Sequence, residues 1–351
     1  MSKIQDINCQ DNRFLPFWLW TVFVILLIIA SIIGGGLFGS ADIAFADILK
    51  VFKLKLFGIN DESLQISSVF IIWDLRIPRA ILALAAGGGL AICGASLQSI
   101  TQNVLANPYI LGISSGASAA VSLAMFLGIA GMASTISIPI IAFIGAMLSL
   151  LLVYKIGIAG RSGSSIRLIL AGTAISVVFN AFSSLFIMIT PSDKVLRSFM
   201  AWTMGSLAGA RWNNLLIPVV SSVLGSLIFL LYSRAFNVIS LGDETAISLG
   251  INTNKIKKMT SVLTAFITGV MVAFCGIIGF VGFIIPHIVR LIIGPDHRKL
   301  FPLSFLVGGL FLLWIDIIAR VIMAPQELPI GIFTALAGGP IFIWLLTKQI
   351  K

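Results

Sequence analysis

Apolar runs of about 20 residues, separated by short polar segments, dominate the chain and predict membrane-spanning helices. They fall near residues 16–38, 77–98, 109–129, 135–154, 166–189, 215–233, 301–323 and 329–347, with one longer run at 259–294. The longer run exceeds one span and barely suffices for two. Gly276, Gly279, Gly282 and Pro286 offer places to break it. Charge decides the count, because breaking the run brings Arg290, Arg298 and Lys299 to the internal side. Ten spans then place Lys3, Arg13, Lys155, Arg161, Arg167, Arg234, Lys255, Lys257, Lys258, Arg290, Arg298, Lys299, Lys348 and Lys351 inside and the other nine basic residues outside, with both termini cytoplasmic.

Composition agrees. The chain is 58% hydrophobic and 10% charged, where soluble domains carry about a quarter charged residues. The net charge of +10 is spread over short segments between apolar runs, as topology determinants are, so nucleic acid is not an expected partner. Cys93 and Cys275 lie inside apolar runs and Cys9 precedes the first, a pattern that offers no disulfide framework. "AFA" at 44–46 resembles a cleavage site, but the apolar run from Pro16 outlasts a signal core and is expected to remain as a span. "ADILKVFKLKLFG", within residues 40–70, fits either a surface helix with Lys50, Lys53 and Lys55 at headgroup level or a loose external loop.

"AICGASL" at 91–97 and "AFCGIIG" at 273–279 echo one another, each followed by a proline, Pro108 or Pro286. They sit five spans apart and so run in opposite directions, as an inverted repeat with matched broken helices requires; chance convergence of two glycine-rich helices explains them equally. Gly35 and Gly39, Gly112 and Gly116, and Gly205 and Gly209 have the four-residue spacing of close helix crossings, and Gly87, Gly88 and Gly89 add a smooth surface.

Polar residues do not assemble into a catalytic or metal-binding set. His287 and His297 have no ligand partners at metal spacing, and "GRSGSS" at 160–165 lacks the Gly-Lys-Ser/Thr ending of a phosphate loop. ATP, if used, would be bound by another chain. Asp316, the best buried acid for a proton or sodium relay, is followed four residues later by Arg320, and a local ion pair accounts for both.

"LGDETAISLGINTNKIKK" at 241–258 is the longest polar stretch between apolar runs. Asp243 and Glu244 suit the first turn of a short helix, Gly250 can stop it, and Asn252 or Thr253 can cap the next. Ala246, Ile247 and Leu249 offer an apolar face for a partner.

With these pieces in place the chain resembles the FecCD-type, or type II, ABC importer permeases for iron-siderophores, haem and cobalamin. The resemblance rests on "RIPR" at 76–79, "GASLQ" at 94–98, "NVLANPYILGISSGAS" at 103–118, "LILAGTAIS" at 168–176, "GDETAISLGI" at 242–251, "GFVGFIIPHIVRLIIGPDHR" at 279–298 and "ELPIGIFTALAGGPIFIWLL" at 327–346. It implies a single all-α transmembrane permease domain over residues 1–351, with about ten helices, inverted-repeat character and a dimer with a second copy or a paralogue. It also implies two cytoplasmic ATPase subunits that bind ATP and magnesium, an external substrate-binding protein, and an inner-membrane location. Residues 242–258 would be the coupling helices, through Asp243, Glu244, Ala246, Leu249 and Gly250. Arg76, Arg79 and Arg320 would meet acidic residues of the binding protein. Asn103 and Leu105 would form the cytoplasmic gate, with Ser164 and Ser165 as a second constriction; this chain has Val104 where the family commonly has proline.

The implied cargo is an iron chelate, with cobalamin, haem or molybdate as alternatives, and the chain would hold no catalytic site and no cofactor of its own. A stand-alone carrier or channel is the rival of a different class. It predicts a buried ionisable relay or a polar filter and leaves the 242–258 stretch without a task.

Overall fold

The computed structural model describes residues 16–39, 43–59, 63–129, 137–158 and 165–349, which contain helices and connections and no β-strand. The helices are α1 (Phe17–Leu37), α2 (Phe45–Phe57), α3 (Ile66–Thr101), α4 (Ile113–Phe126), α5 (Ser137–Ile158), α6 (Ser165–Met188) and α7 (Asp193–Thr203). They continue as α8 (Leu216–Leu231), α9 (Ser233–Ile239), α10 (Asp243–Ser248), α11 (Thr253–Cys275), α12 (Val281–Ile293), α13 (His297–Val321) and α14 (Ile330–Gln349).

Among the described residues α1, α3, α5, α6, α11 and α13 are each long and apolar enough to cross a membrane, and α8 with α9, bent by 61°, makes a seventh. The shorter apolar helices α4, α12 and α14 complete the ten predicted segments. The chain is a multi-pass membrane protein.

Its centre is the pair α3 and α13. A Cβ on Gly87 would overlap the Gly308 carbonyl, and one on Gly308 would strike the Gly87 backbone and Ala91. Gly88 lies under the ring of Phe305, and Gly309 against the Leu84 backbone. In lipid, where apolar surfaces gain little by merely meeting, such backbone contact is what holds two helices together. The helices run antiparallel: Ser99 meets His297 at one end and Arg79 meets Asp316 at the other. Arg79 and Ser99 are 20 residues apart on α3, or about 30 Å at 1.5 Å per residue, which is the thickness of the hydrocarbon layer. The two polar clusters therefore mark opposite membrane surfaces. Gly308→Val should cost about 3 kcal/mol, the upper end of overpacking, because the Gly87 backbone and the Ala91 Cβ, which cannot rotate aside, lie in its way; a thermal unfolding series in detergent measures this. Gly209→Ala should leave the midpoint unchanged, since nothing lies within 4 Å of the added carbon.

That control reflects a correction, because the Gly205/Gly209 pair forms no helix crossing. Gly116 does, against Gly145 of α5. The cysteine-glycine echo also splits in two. α3 continues unbroken past Cys93 and Gly94, whereas α11 stops at Cys275, and Gly94 packs on the backbone of Gly282. Of the four candidate breakers Gly276 and Gly279 lie in the break, and Gly276 opens it. Gly276 takes φ +70°, and the place of its missing Cβ is filled by the Trp202 carbonyl, so no other residue fits. Gly282 and Pro286 lie inside α12. What the two parts share is a long helix, a break and a short apolar helix: α3 then α4, and α11 then α12.

The segment left open at 40–70 contains the helix α2. Ile48 and Val51 are buried on Ile72 of α3, while Phe45, Leu49 and Leu56 stay exposed.

Candidate functional site

Three parts of the structure carry polar chemistry: an arginine cluster at one end of α3, a hairpin with its anchoring network at the other, and the turn that leaves α3.

At the first end, Phe70–Arg76 of α3 widens into a π-turn just before Pro78. Proline would otherwise collide with the carbonyl four residues back, and the wider turn relieves this. Arg79 Nε donates to Asp316 Oδ1 at 2.7 Å and its Nη1 to Glu327 Oε2 at 2.7 Å. Asp316 Oδ2 lies 3.2 Å from Arg320 Nε, near enough for charge attraction but not aligned as a hydrogen bond. Arg320 Nη1 donates to the Gly35 carbonyl at 3.4 Å, and Arg76 Nη1 donates to that of Gly36.

The local Asp316–Arg320 pair expected from spacing is present, and Arg79 joins it from across the bundle. The exposed presentation of the three arginines is not: Arg76, Arg79 and Arg320 are 7%, 7% and 6% exposed. The reason is physical. A guanidinium at the end of a span finds acceptors in helix termini and in a buried acid before it finds water. A cavity of about 290 Å³ opens beside them, and Arg211, on the loop before α8, lines it as well.

At the opposite end, the stretch 241–258 forms the predicted helix, glycine turn and helix. Asp243 and Glu244 occupy the first turn of α10, and Asn252 caps α11 by accepting from Lys255 N at 2.9 Å. Gly250 turns the chain at φ +81°, and its N–H donates to the Ile247 carbonyl at 2.9 Å. Asp243 is also ion-paired to Lys257 of α11. Glu244 and Gly250 are exposed, as are Ile247 and Leu249 at 61% and 63%. Ala246 is the exception to the expected apolar face: it is fully buried, because it sits on the side of α10 that closes onto the base of the hairpin, where its carbonyl accepts from Ile251 N.

The helix that leads into the hairpin, α9, is tied to the bundle by side chains that local sequence reading cannot pair. Asn237 of α9 accepts from the His297 backbone N–H at 2.8 Å and donates from Nδ2 to Asp296 Oδ1 at 2.7 Å. That fixes its amide orientation, so His297 Nδ1, 2.7 Å from the same Asn237 oxygen, is the donor there, and Nε2 faces the Ser99 hydroxyl of α3. Gln102, at the end of α3, donates to the Ile239 carbonyl at 3.1 Å. Phe229, Phe236 and Phe301 close around His297 and keep the network dry.

Burial of Asp296 raises its pKa, but hydrogen bonds from Asn237 and the Arg298 N–H, with the charges of Arg298 and Lys299, outweigh this and hold it below the ordinary carboxylate value. A lowered carboxylate stabilises the fold at neutral pH, and that contribution disappears as pH falls through its folded value. Asp296→Ala, which also removes the cap of α13, should cost about 1 kcal/mol at pH 7 and less in acid, read from denaturation midpoints at both pH values.

At the turn leaving α3, Asn103 is exposed and its Oδ1 accepts from Leu105 N at 2.9 Å. Leu105 packs on Phe283 and Ile284 of α12. Ser165 is the first residue of α6, and Ser164 lies outside the described residues.

Residues 23–348 match the model of the FecCD transport family. The chain belongs to the FecCD transport family. It is 35% identical to the hemin transport system permease of Yersinia pestis over 93% of this chain and 95% of that one. It is 37% identical to the cobalamin import permease of Halobacterium salinarum, covering 91% and 82%, and 36% identical to the iron(3+)-citrate import permease of Bacillus subtilis, covering 93% and 94%. A solved structure described as an inward-facing conformation of a metal-chelate type ABC transporter superposes with a TM-score of 0.77 at 32% identity, over 93% of this chain and 98% of that one. This FecCD chain is thus an ABC importer permease, a class of transport subunits that are not themselves enzymes.

Proposed function

We propose that this FecCD permease translocates an iron chelate of siderophore type across the inner membrane, with both termini in the cytoplasm, as a dimer with a second copy or paralogue. An external binding protein delivers the cargo to the arginine end, and two separate ATPase subunits, which bind ATP and magnesium, act at the hairpin end. The hairpin carries this reading. It is capped, its α10 is fixed to α11 by Asp243–Lys257, and the α9 that leads into it is joined to α13 and α3 through Asn237, His297 and Ser99, yet it leaves Glu244, Ile247 and Leu249 to solvent. A rigid lever with an exposed apolar tip is what a docking partner needs to move spans.

In the mechanism that follows, the loaded binding protein docks over the arginine cavity and releases cargo to the dimer axis. ATP binding then brings the ATPases together, and each hairpin displaces α11 directly and α3 and α13 through the His297 network. The turn at Asn103 and Leu105, pressed on α12, and the segment with Ser164 and Ser165 are the gates that respond. Hemin and iron(3+)-citrate, named for two relatives, are iron compounds, which favours an iron chelate; the cobalamin relative favours a second reading in which the cargo is a corrinoid. Uptake of labelled ferric siderophores, hemin, cobalamin and molybdate into proteoliposomes holding the permease, its ATPase and its binding protein tests the choice. Ferric siderophore uptake above the other three is expected, and cobalamin uptake alone would establish the second reading.

A further inference from the structure

The cavity at the arginine end holds an unequal set of charges. Four guanidiniums, those of Arg76, Arg79, Arg211 and Arg320, line it, and Glu327 is the one carboxylate among its described lining residues. Asp316 also pairs with Arg79 but is fully buried behind the wall. Glu327 is different in kind. Its side chain is 37% exposed, while its backbone is pinned on the C-terminal side, with Leu328 N donating to the Ala319 carbonyl at 3.1 Å and Ile330 N to that of Gly205 at 3.1 Å. The loop is therefore fixed, and only the side chain reaches across to Arg79.

An ion pair with one well-exposed member contributes little, because the exposed acid is nearly as well solvated without it. The buried arginine is in the opposite position, since leaving it short of counter-charge is costly. Another carboxylate entering the cavity can therefore replace Glu327 on Arg79 at small cost, the released side chain returning to water. Arg211 sits at the exposed rim, its Nη1 held by the carbonyls of Ala208 and Ala210 at 3.1 and 2.6 Å, where an approaching negative charge meets it first.

We infer that Glu327 is a built-in occupant of an anion socket, keeping Arg79 paired while the permease is undocked and yielding to an acidic side chain of the binding protein on docking, an inference that rests on the docking role proposed above for this face. Because one carboxylate replaces another, the number of ion pairs is nearly conserved. Docking through the socket thus selects an acidic partner and speeds its approach while leaving the complex easily released.

The test titrates the external binding protein proposed above onto the permease–ATPase complex in nanodiscs, comparing wild type with Glu327→Gln, Glu327→Asp and Arg211→Gln. Glu327→Gln is expected to tighten docking roughly two- to fivefold through slower dissociation, the worth of the competing pair. Glu327→Asp, which keeps the charge but falls short of Arg79, should move the same way and stands in if the glutamine variant does not fold. Arg211→Gln should slow association and weaken its salt dependence. Unchanged or weaker docking in both Glu327 variants, with Arg211→Gln still slowing association, overturns the occupant role and leaves the docking face intact. If Arg211→Gln is also silent, the docking face itself is wrong and the inference falls with it.

Discussion

Asp316→Ala should be the most destabilising single substitution in this permease. The carboxylate is fully buried and stands between two guanidiniums that are themselves less than a tenth exposed, accepting from Arg79 at 2.7 Å and lying 3.2 Å from Arg320. Removing it keeps both positive charges in place and takes away the negative charge they share. Breaking a buried pair from one side costs about 3–5 kcal/mol, far more than the pair itself contributes over an apolar replacement. Asp316→Asn retains an acceptor oxygen but no charge and should fall between alanine and wild type. Thermal unfolding of the purified protein in detergent, followed by its size-exclusion profile, reads the order: wild type, asparagine, alanine. Equal midpoints for wild type and alanine would show that the arginines are neutralised by water or by their helix-end carbonyls instead.

The second large effect belongs to the hairpin and concerns coupling, with stability little changed. Gly250 turns at φ +81° and donates its N–H to Ile247, whereas proline fixes φ near −65° and has no N–H to give. Nothing lies within 4 Å of an added Cβ, so Gly250→Pro should distort the turn without disturbing the bundle. Glu244→Arg reverses charge at an exposed position in the first turn of α10, where a positive residue opposes the helix dipole and presents the wrong sign to a partner. A loss of about 1.4 kcal/mol in docking energy is a tenfold loss of complex. Either variant should therefore reduce ATPase copurification and binding-protein-stimulated ATP hydrolysis by tenfold or more, with an unfolding midpoint close to that of wild type. Ala246→Glu offers a contrast, since burying a charge at a fully buried position should lower the midpoint as well.

What could be read from sequence was local. The ten apolar segments, the caps of the hairpin and the Asp316–Arg320 pair depend on residues a few positions apart, where periodicity and capping rules operate. The smooth glycines of α3 were legible as a packing surface, but their partners Gly308, Phe305 and Ser222 were not, because a crossing is a property of two helices. For the same reason the Ser99–His297–Asn237 network was invisible: its members are separated by 198 and 60 residues, and no spacing rule links them. The three arginines were singled out as docking residues by the resemblance, but their burial was not legible, since a sequence shows that an arginine flanks a span and not whether a buried acid from another helix awaits it. Arg211 carried no signal beyond its charge, and Glu327 stood only as the first residue of the quoted motif at 327–346, with nothing to pair it with Arg79.

The central claim is that this chain is a passive path whose work is done by a separate ATPase acting on the hairpin. Uptake of a labelled ferric siderophore into proteoliposomes tests it most directly, with the permease reconstituted alone, with its ATPase, and with the ATPase and Gly250→Pro, the binding protein outside and ATP inside in every case. Accumulation only with the wild-type permease and its ATPase together is the predicted result. Accumulation by the permease alone, under a proton or sodium gradient, would contradict the account and make it a carrier in its own right.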